Sequence, residues 1–188
     1  PIEVQEGALR ALADLTAGQK TGWFYDQRDN RAFAATLAPG LEVLDLYCYS
    51  GGFSLAAALA GAAQVTGVDS SEAALALGTA AAKLNRVDDR LRFEKGEAFG
   101  LLESAARGQR RWGLVICDPP AFVKAKKDLA VGLRGYRTLA RLASSVVAPG
   151  GFLVIASCSH HVSAGDFASE VAAGIATTGR TGRILRSS

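Results

Sequence analysis

The sequence predicts a doubly wound, mainly parallel α/β sheet preceded by a short N-terminal β-hairpin segment, and three observations carry that prediction. Val43-Leu44-Asp45-Leu46 reads as a buried strand; it enters a turn containing Gly51-Gly52 and is followed by the small-residue helix Ser54-Leu55-Ala56-Ala57-Ala58-Leu59-Ala60. A strand, a glycine turn and a helix N-terminus form the mouth of such a sheet, where ligands bind outside the strand carboxyl ends. Gln64-Val65-Thr66-Gly67-Val68-Asp69 is a second apolar strand that ends in a carboxylate, placed to take the ribose hydroxyls of a nucleotide-like ligand. Trp112-Gly113-Leu114-Val115-Ile116-Cys117 is nearly all apolar, as a central parallel strand buried on both faces should be.

The bulk composition bounds the answer. The 188 residues suffice for one α/β domain with a full core, and 49% hydrophobic residues make disorder an unsuitable default. A formal charge of +3 permits a nucleic-acid partner without requiring one. Neither a long apolar run nor a signal peptide is visible, so no membrane partner is expected. Cys48, Cys117 and Cys158 are odd in number and lack metal-ligand spacing, so no metal is expected and a reducing cytoplasmic setting fits. The absence of methionine and the proline at residue 1 suggest a fragment or a processed product. Oligomer formation is left open.

Taken in order, residues 2–15 read as a hairpin turning at Glu6-Gly7, with Leu9, Ala11, Ala13 and Leu15 alternating against Arg10, Leu12 and Asp14. A short helix over 9–15 is the rival, since alanine and leucine favour it. A stretch rich in polar, aromatic and glycine residues follows, Gly18-Gln19-Lys20-Thr21-Gly22-Trp23-Phe24-Tyr25-Asp26-Gln27-Arg28-Asp29-Asn30-Arg31. A helix over 28–37 is closed by Pro39-Gly40. Residues 1–40 thus form a hairpin and a connecting segment that packs on a core of residues 41–188. After Asp69, Ser70 or Ser71 can cap a helix reaching Leu84, with Glu72 in its first turn. Leu91-Arg92-Phe93-Glu94 is the third core strand, and Glu97 begins a helix that reaches Ala106.

The fourth core strand runs into Asp118-Pro119-Pro120-Ala121-Phe122, where two prolines fix the backbone and hold a carboxylate at the sheet edge. Lys124, Lys126 and Lys127 precede a long helix over 129–147. Arg134, Arg137 and Arg141 share one of its faces, as a phosphate-tracking row or as an ordinary solvated one. Pro149-Gly150-Gly151 turns into the fifth core strand, 152–157, which ends in Cys158-Ser159-His160-His161. A helix over 163–176 follows, with Ser163 as its N-cap, and residues 183–186 can begin a sixth strand.

The turn at Gly51-Gly52 lacks a glycine three residues on, so the G-x-G-x-x-G dinucleotide fingerprint fails. An acid ending strand one, a glycine turn and an acid ending strand two resemble instead the class I, Rossmann-like S-adenosylmethionine-dependent methyltransferases. In a parallel sheet with right-handed crossovers, Asp45, Asp69, Asp118 and Cys158 share one edge. A cysteine there has a specific chemical use. Carbon 5 of cytosine is a poor nucleophile until a thiolate adds at carbon 6, which divides one hard step into easier ones. Asp118 would hold the amino edge of the base, and the base would leave its stack to reach the pocket. Cys117 reads as a buried hydrophobe and Cys48 as lining of the turn. His160 and His161 are read equally as a base, a phosphate contact or plain surface; with one cysteine they do not make a zinc site.

The strings at 18–31, 44–53, 65–69, 118–122 and 157–159 resemble the methyltransferase domain of the bacterial large-subunit ribosomal RNA 5-methylcytosine methyltransferases. That resemblance implies S-adenosyl-L-methionine as cofactor, S-adenosyl-L-homocysteine as product and large-subunit ribosomal RNA as partner. It places Tyr49, Ser50, Gly51, Asp69, Ser70, Glu97, Ala98 and Asp118 around the cofactor, with Asp45, Gly52 and Phe53 of the same strand and turn. Lys20, Thr21, Phe24 and Arg28 cover it, and Cys158 with Asp118 is catalytic. Two departures stand out: the N-terminal RNA-binding module of PUA type and the last strand of the family's sheet are both expected to be missing. A related guanine N7 methyltransferase domain shares the first and fourth strings but needs no thiol. A binding-only scaffold that keeps the cofactor pocket is the third alternative.

Overall fold

The computed structural model describes residues 1–15 and 22–187. The hairpin is β1 (Ile2–Glu6) paired antiparallel with β2 (Leu9–Ala13), Glu6 opposite Leu9 and Val4 opposite Ala11. Leu9, Ala11 and Ala13 are buried while Arg10 is exposed. That period of two is why the segment is a strand and not the rival helix. The free edge of β2 is held by Asn85, whose side chain accepts from the Arg10 amide at 3.0 Å and donates to the Arg10 carbonyl at 2.6 Å.

A single 3-10 turn, Tyr25–Gln27, leads into α1 (Arg28–Leu37). The core sheet comprises β3 (Glu42–Leu46), β4 (Gln64–Asp69), β5 (Leu91–Lys95), β6 (Trp112–Cys117) and β7 (Val147–Ile155). All pairings are parallel, in the order β5-β4-β3-β6-β7. The chain winds outward from β3 through β4 to β5, then returns to lay β6 and β7 on the other side. The order therefore reverses between β3 and β6, the point at which such sheets open a crevice. The crossovers are α2 (Gly52–Leu59), α3 (Glu72–Leu84), α4 (Ala98–Arg107) and α5 (Leu129–Ser145); α6 (Ala164–Ala176) follows β7.

Alternation along the strands builds two cores. Val43, Val65, Leu114 and Ile116 face the side covered by the hairpin, α1, α2 and α3. Leu44, Leu46, Val68, Val115 and Cys117 face the side of α4 and α5. On the first side the Phe93 ring is wedged against backbone. A Cβ at Gly51, Gly67 or Gly78 would approach it to 2.4, 2.7 and 2.8 Å, respectively.

The last strand begins earlier than the sequence suggests. β7 starts at Val147, and Pro149-Gly150-Gly151 is an excursion within it. Val147 pairs with Trp112 and Phe152 with Leu114, so the register slips around the left-handed Gly150, φ 73°. The tail does not begin a sixth strand. Ile184 and Leu185 are exposed, and Arg186 lies 5.2 Å over the Phe33 ring while donating to the Asp29 carbonyl. With its guanidinium engaged on α1, residues 183–186 run over that helix instead of pairing along β7.

Candidate active site at the carboxyl edge

The turn leaving β3 is tightly constrained. Tyr47 and Tyr49 both have left-handed backbone, φ 61° and 50°, and Gly51 has φ 84°. Bulky residues rarely adopt this conformation, at a cost of about 1–3 kcal/mol each, unless the surroundings enforce it. Here Cys48 donates its amide to the Val68 carbonyl at 3.1 Å, and Tyr49 donates to an Asp69 oxygen at 2.9 Å. The other Asp69 oxygen accepts from the Ser71 amide at 2.9 Å. Asp69 is thereby fixed at the tip of β4 by two backbone donors. The spaces that Gly51 and Gly52 leave open are filled by protein: Phe93 at the first, Trp23 and Arg31 at the second. A side chain at either glycine would therefore collide with this packing, and Gly52 also lines the cavity.

Asp45 is not at the rim. It pairs with Gly67 and Ile116 inside the sheet and is 1% exposed. The Ser54 hydroxyl donates to one of its oxygens at 2.6 Å; the other has no partner among the described residues. Burial, opposed by the Ser54 bond and assisted by the charge of Asp118, pushes its pKa up to about 7. The hydroxyl of Ser50, equally buried, is also without a partner among the described residues. An unmatched buried polar atom costs roughly 1–3 kcal/mol, and of the two only the Ser50 hydroxyl lines the cavity beneath this turn, where a polar ligand would complete its bonding.

Trp23, Phe24, Gln27 and Arg31 cover this turn, enclosing with Tyr47, Tyr49, Phe53 and Asp118 a cavity of about 50 Å³. The Phe24 ring meets Tyr49 edge to face at 5.7 Å. Arg31 is 3% exposed; it donates to Glu6 at 2.9 Å and to the Phe24 carbonyl at 2.9 Å, and stacks 4.5 Å over Trp23. Burial alone would raise the Glu6 carboxyl; the Arg31 bonds, with Trp23 and Arg28, outweigh it and hold it below the usual carboxylate range. Arg28 does not line the cavity and stays largely exposed, 3.7 Å from Glu6. Lys20 and Thr21 lie outside the described residues. The sequence reading missed Arg31 and Gln27, because the Glu6 partner of Arg31 is 25 residues away and no local spacing connects them.

Asp69, Ser70, Glu97 and Ala98 stand outside that cavity, along the ends of β4 and β5. Ser70 is exposed, Ala98 is buried in the core, and Glu97 caps α4 by accepting from the Gly100 amide at 3.1 Å. The space enclosed by the described residues is smaller than most ligand pockets, which exceed roughly 300 Å³. A larger cavity, about 250 Å³, opens at the opposite edge of the sheet beside Glu42, Gln64, Arg92, Arg110 and Trp112. The strand carboxyl ends are not there, so size alone does not locate the chemistry.

On the other side of the crevice Asp118 follows β6, half-buried, with Gln27 Nε2 3.5 Å from one oxygen. Cys158 lies three residues beyond β7 and is exposed, its Sγ 3.8 Å from the Pro119 carbonyl. Cys48 and Cys117 are buried, and burial raises both thiols well above their usual range. His160 and His161 are exposed. Of the helical arginine row, Arg137 is committed to Glu170 on α6 through a paired contact at 2.6 and 2.9 Å; Arg134 and Arg141 are exposed.

A crevice at the switch point of a parallel sheet, with a fixed acid ending the second core strand and an unmatched buried hydroxyl under a strained turn, defines a nucleoside-cofactor α/β protein. A family model for S-adenosylmethionine-dependent methyltransferases matches residues 2–180, and the chain belongs to that family. Its cofactor is S-adenosylmethionine, and the Asp69 carboxylate at the tip of β4 and the unmatched Ser50 hydroxyl lining the cavity fit its polar groups. The chain is 36% identical over 187 residues to the ribosomal RNA large subunit methyltransferase I of Aeromonas hydrophila, covering 98% of this chain and 47% of that protein. It is 38% identical to the protein of the same name from Tolumonas auensis, covering 98% and 46%. The chain thus spans about half the length of these relatives. Among solved structures it superimposes on SMU.776, described as a methyltransferase complexed with SAH, with TM-score 0.82, 27% identity and coverage of 92% of this chain and 46% of the other.

Proposed function

We propose that this chain forms 5-methylcytosine in large-subunit ribosomal RNA through a covalent adduct on Cys158. The observation that carries the reading is the placement of the thiol: exposed at the carboxyl edge, beside the Pro119 carbonyl of the loop that carries Asp118. The RNA class is supported by the names of the relatives in Aeromonas and Tolumonas, and by Lys124, Lys126 and Lys127, all exposed just past the Asp118 loop.

In this reading the Cys158 thiolate adds to carbon 6 of the flipped base, which makes carbon 5 nucleophilic. Asp118 accepts from the amino edge and stabilises the ring once N3, gaining electron density from the addition, has taken up a proton from solvent. Bound S-adenosylmethionine supplies the electrophilic methyl group for carbon 5. A base at the rim then takes the carbon 5 proton, the sulfur–carbon 6 bond breaks, and Cys158 is regenerated. The turn from β3 and the Trp23–Phe24 cover keep water from the reacting end. Neither Lys20 nor Thr21 is needed for these steps, and both are proposed only as further cover.

The test is to incubate the intact protein with cofactor and RNA carrying 5-fluorocytosine at the target. Fluorine cannot leave as a cation, so the adduct on Cys158 should persist and appear as a peptide–nucleotide mass. Methylation of normal RNA without any trapped adduct would overturn the cytosine reading and point to a target such as guanine N7, which is nucleophilic unaided.

A further inference from the structure

The segment bearing Cys158 is pinned from behind by a group that the reaction scheme leaves unused. Ser157 and Ser159 point inward while Cys158, between them, is exposed, the alternation of an extended segment. Ser157 donates to the hydroxyl of Tyr136 at 2.8 Å, and the same hydroxyl lies 2.8 Å from Ser159 Oγ. Ser159 Oγ also accepts from the Val123 amide at 3.2 Å, and its own amide donates to Ser157 Oγ at 3.3 Å. Tyr136 belongs to α5 and is fully buried. Its ring stacks on Phe122 at 4.7 Å and meets Phe167 edge to face at 5.1 Å. The helix can come this close because Gly132 and Gly135 face the Asp118 loop. A Cβ at Gly132 would fall 2.3 Å from Val123, and one at Gly135 would fall 3.0 Å from Phe122.

One phenol therefore ties together the two loops that carry the reacting groups. Phe122 and Val123 end the loop of Asp118, and Ser157 and Ser159 flank the thiol. A tyrosine serving only as core would be as well packed without its oxygen, whereas here the oxygen is the meeting point of both serines. We propose that the Tyr136 hydroxyl, acting through Ser157 and Ser159, positions Cys158 against the Asp118 loop. Tyr136 touches neither base nor cofactor, so it is a positioning residue. The proposal rests on Cys158 being the nucleophile. Displacing a reacting atom by about 1 Å can cost on the order of a hundredfold in rate, which sets the scale of the effect.

The test is Tyr136→Phe in the intact protein, which keeps the ring and its stacking. The expected result is a roughly tenfold to hundredfold fall in kcat, with KM for RNA and affinity for S-adenosylhomocysteine little changed. Alkylation of Cys158 by iodoacetamide should accelerate as the loop is released. Ser157→Ala should reproduce both changes, and the pair should not be additive, because both cut the same tether. Should Tyr136→Phe fail to fold, Ser157→Ala alone carries the test. A folded variant in which kcat or the alkylation rate stays at the parental value overturns the proposal, since the thiol has then not moved or its movement does not matter. Cys158→Ala, measured alongside, separates the two levels. Turnover retained there overturns the nucleophile reading and the proposal with it; turnover lost there but kept in Tyr136→Phe overturns the positioning alone.

Discussion

Cys48 and Cys158 follow strands on either side of the switch point, three residues or fewer beyond the ends of β3 and β7, and their surroundings are opposite. Cys48 sits in the turn of the cofactor wall, 7% exposed, with burial and the nearby Asp45 and Asp69 charges raising its thiol. Cys158 is exposed, between two serines that are bonded away from the cleft. The same contrast separates the acids. Asp45 is sealed beneath α2 and pushed towards neutrality, whereas Asp118 is half-buried at the rim. One wall is dry, and the other leaves its thiol exposed and its carboxyl half-exposed. Residue type does not distinguish the two walls; burial does, and at Cys48 and Asp45 it disfavours the charged form of thiol and carboxyl.

The sharpest way to break that contrast is to exchange the roles of the thiols. Cys158→Ala should lower single-turnover methylation by about a thousandfold or more while leaving S-adenosylhomocysteine affinity within a few-fold. Cys48→Ala should keep turnover within a few-fold. The opposite pattern in the same assay would invert the assignment of the two walls.

A second way attacks the cofactor wall through its cover. Glu6→Gln leaves the buried Arg31 guanidinium without its counter-charge and should destabilise the protein by about 3 kcal/mol, read from urea unfolding. The pH dependence follows from the lowered carboxyl. The unfolded chain takes up the Glu6 proton near pH ~4.3, the folded chain only below that. The stabilisation is therefore complete above this pH and is lost as pH falls through the lower folded value. Glu6→Gln should remove that acid-side loss.

Asp45 has the opposite sign. Its folded pKa is raised to about 7, whereas the unfolded chain releases the proton near pH ~3.9. Between these values the folded state holds more protons, so stability contributed by this site falls as pH rises. Asp45→Asn should match the parent near pH ~4 and gain on the order of 1–2 kcal/mol at pH ~8 in the cofactor-free protein. Thermal unfolding at both pH values checks it; an equal shift at both would mean the carboxyl is already ionised when folded.

The smallest effect belongs to the exposed rim. Lys126→Ala should weaken RNA binding similarly for all sequences and reduce the slope of log K against log salt by about one. An unchanged slope would place the phosphates elsewhere, and then the lysines past the Asp118 loop do not belong to the reactive wall.

The elements themselves were readable because each carries a local signal. The alternation in β2, the strand running from Gln64 to Asp69, the Ser163 cap that accepts from the Asp166 amide at 3.0 Å, and the apolar β6 all depend on neighbours in the chain. The reading failed where the partner is distant. Arg183-Ile184-Leu185-Arg186 has strand-like composition, yet Arg186 finds Phe33 and Asp29, more than 150 residues earlier, and no ladder forms. Asp45 nearly ends an apolar run, which points to the rim, and only pairing to Gly67 and Ile116 sets it inside.

By itself the sequence determined the winding of the sheet, the positions of Asp69, Asp118 and Cys158 beyond or at strand ends, and the cofactor class. Periodicity, turn residues and motif strings are properties of a few consecutive residues. Tertiary structure alone decided that Arg31 rather than Arg28 roofs the cleft, that Asp45 is an internal carboxyl, and that Tyr136 holds the loop of the thiol. Those outcomes depend on burial and on contacts between residues 20 to 100 positions apart, and a carboxylate or a phenol is the same letter in the sequence whether water or a buried serine stands beside it.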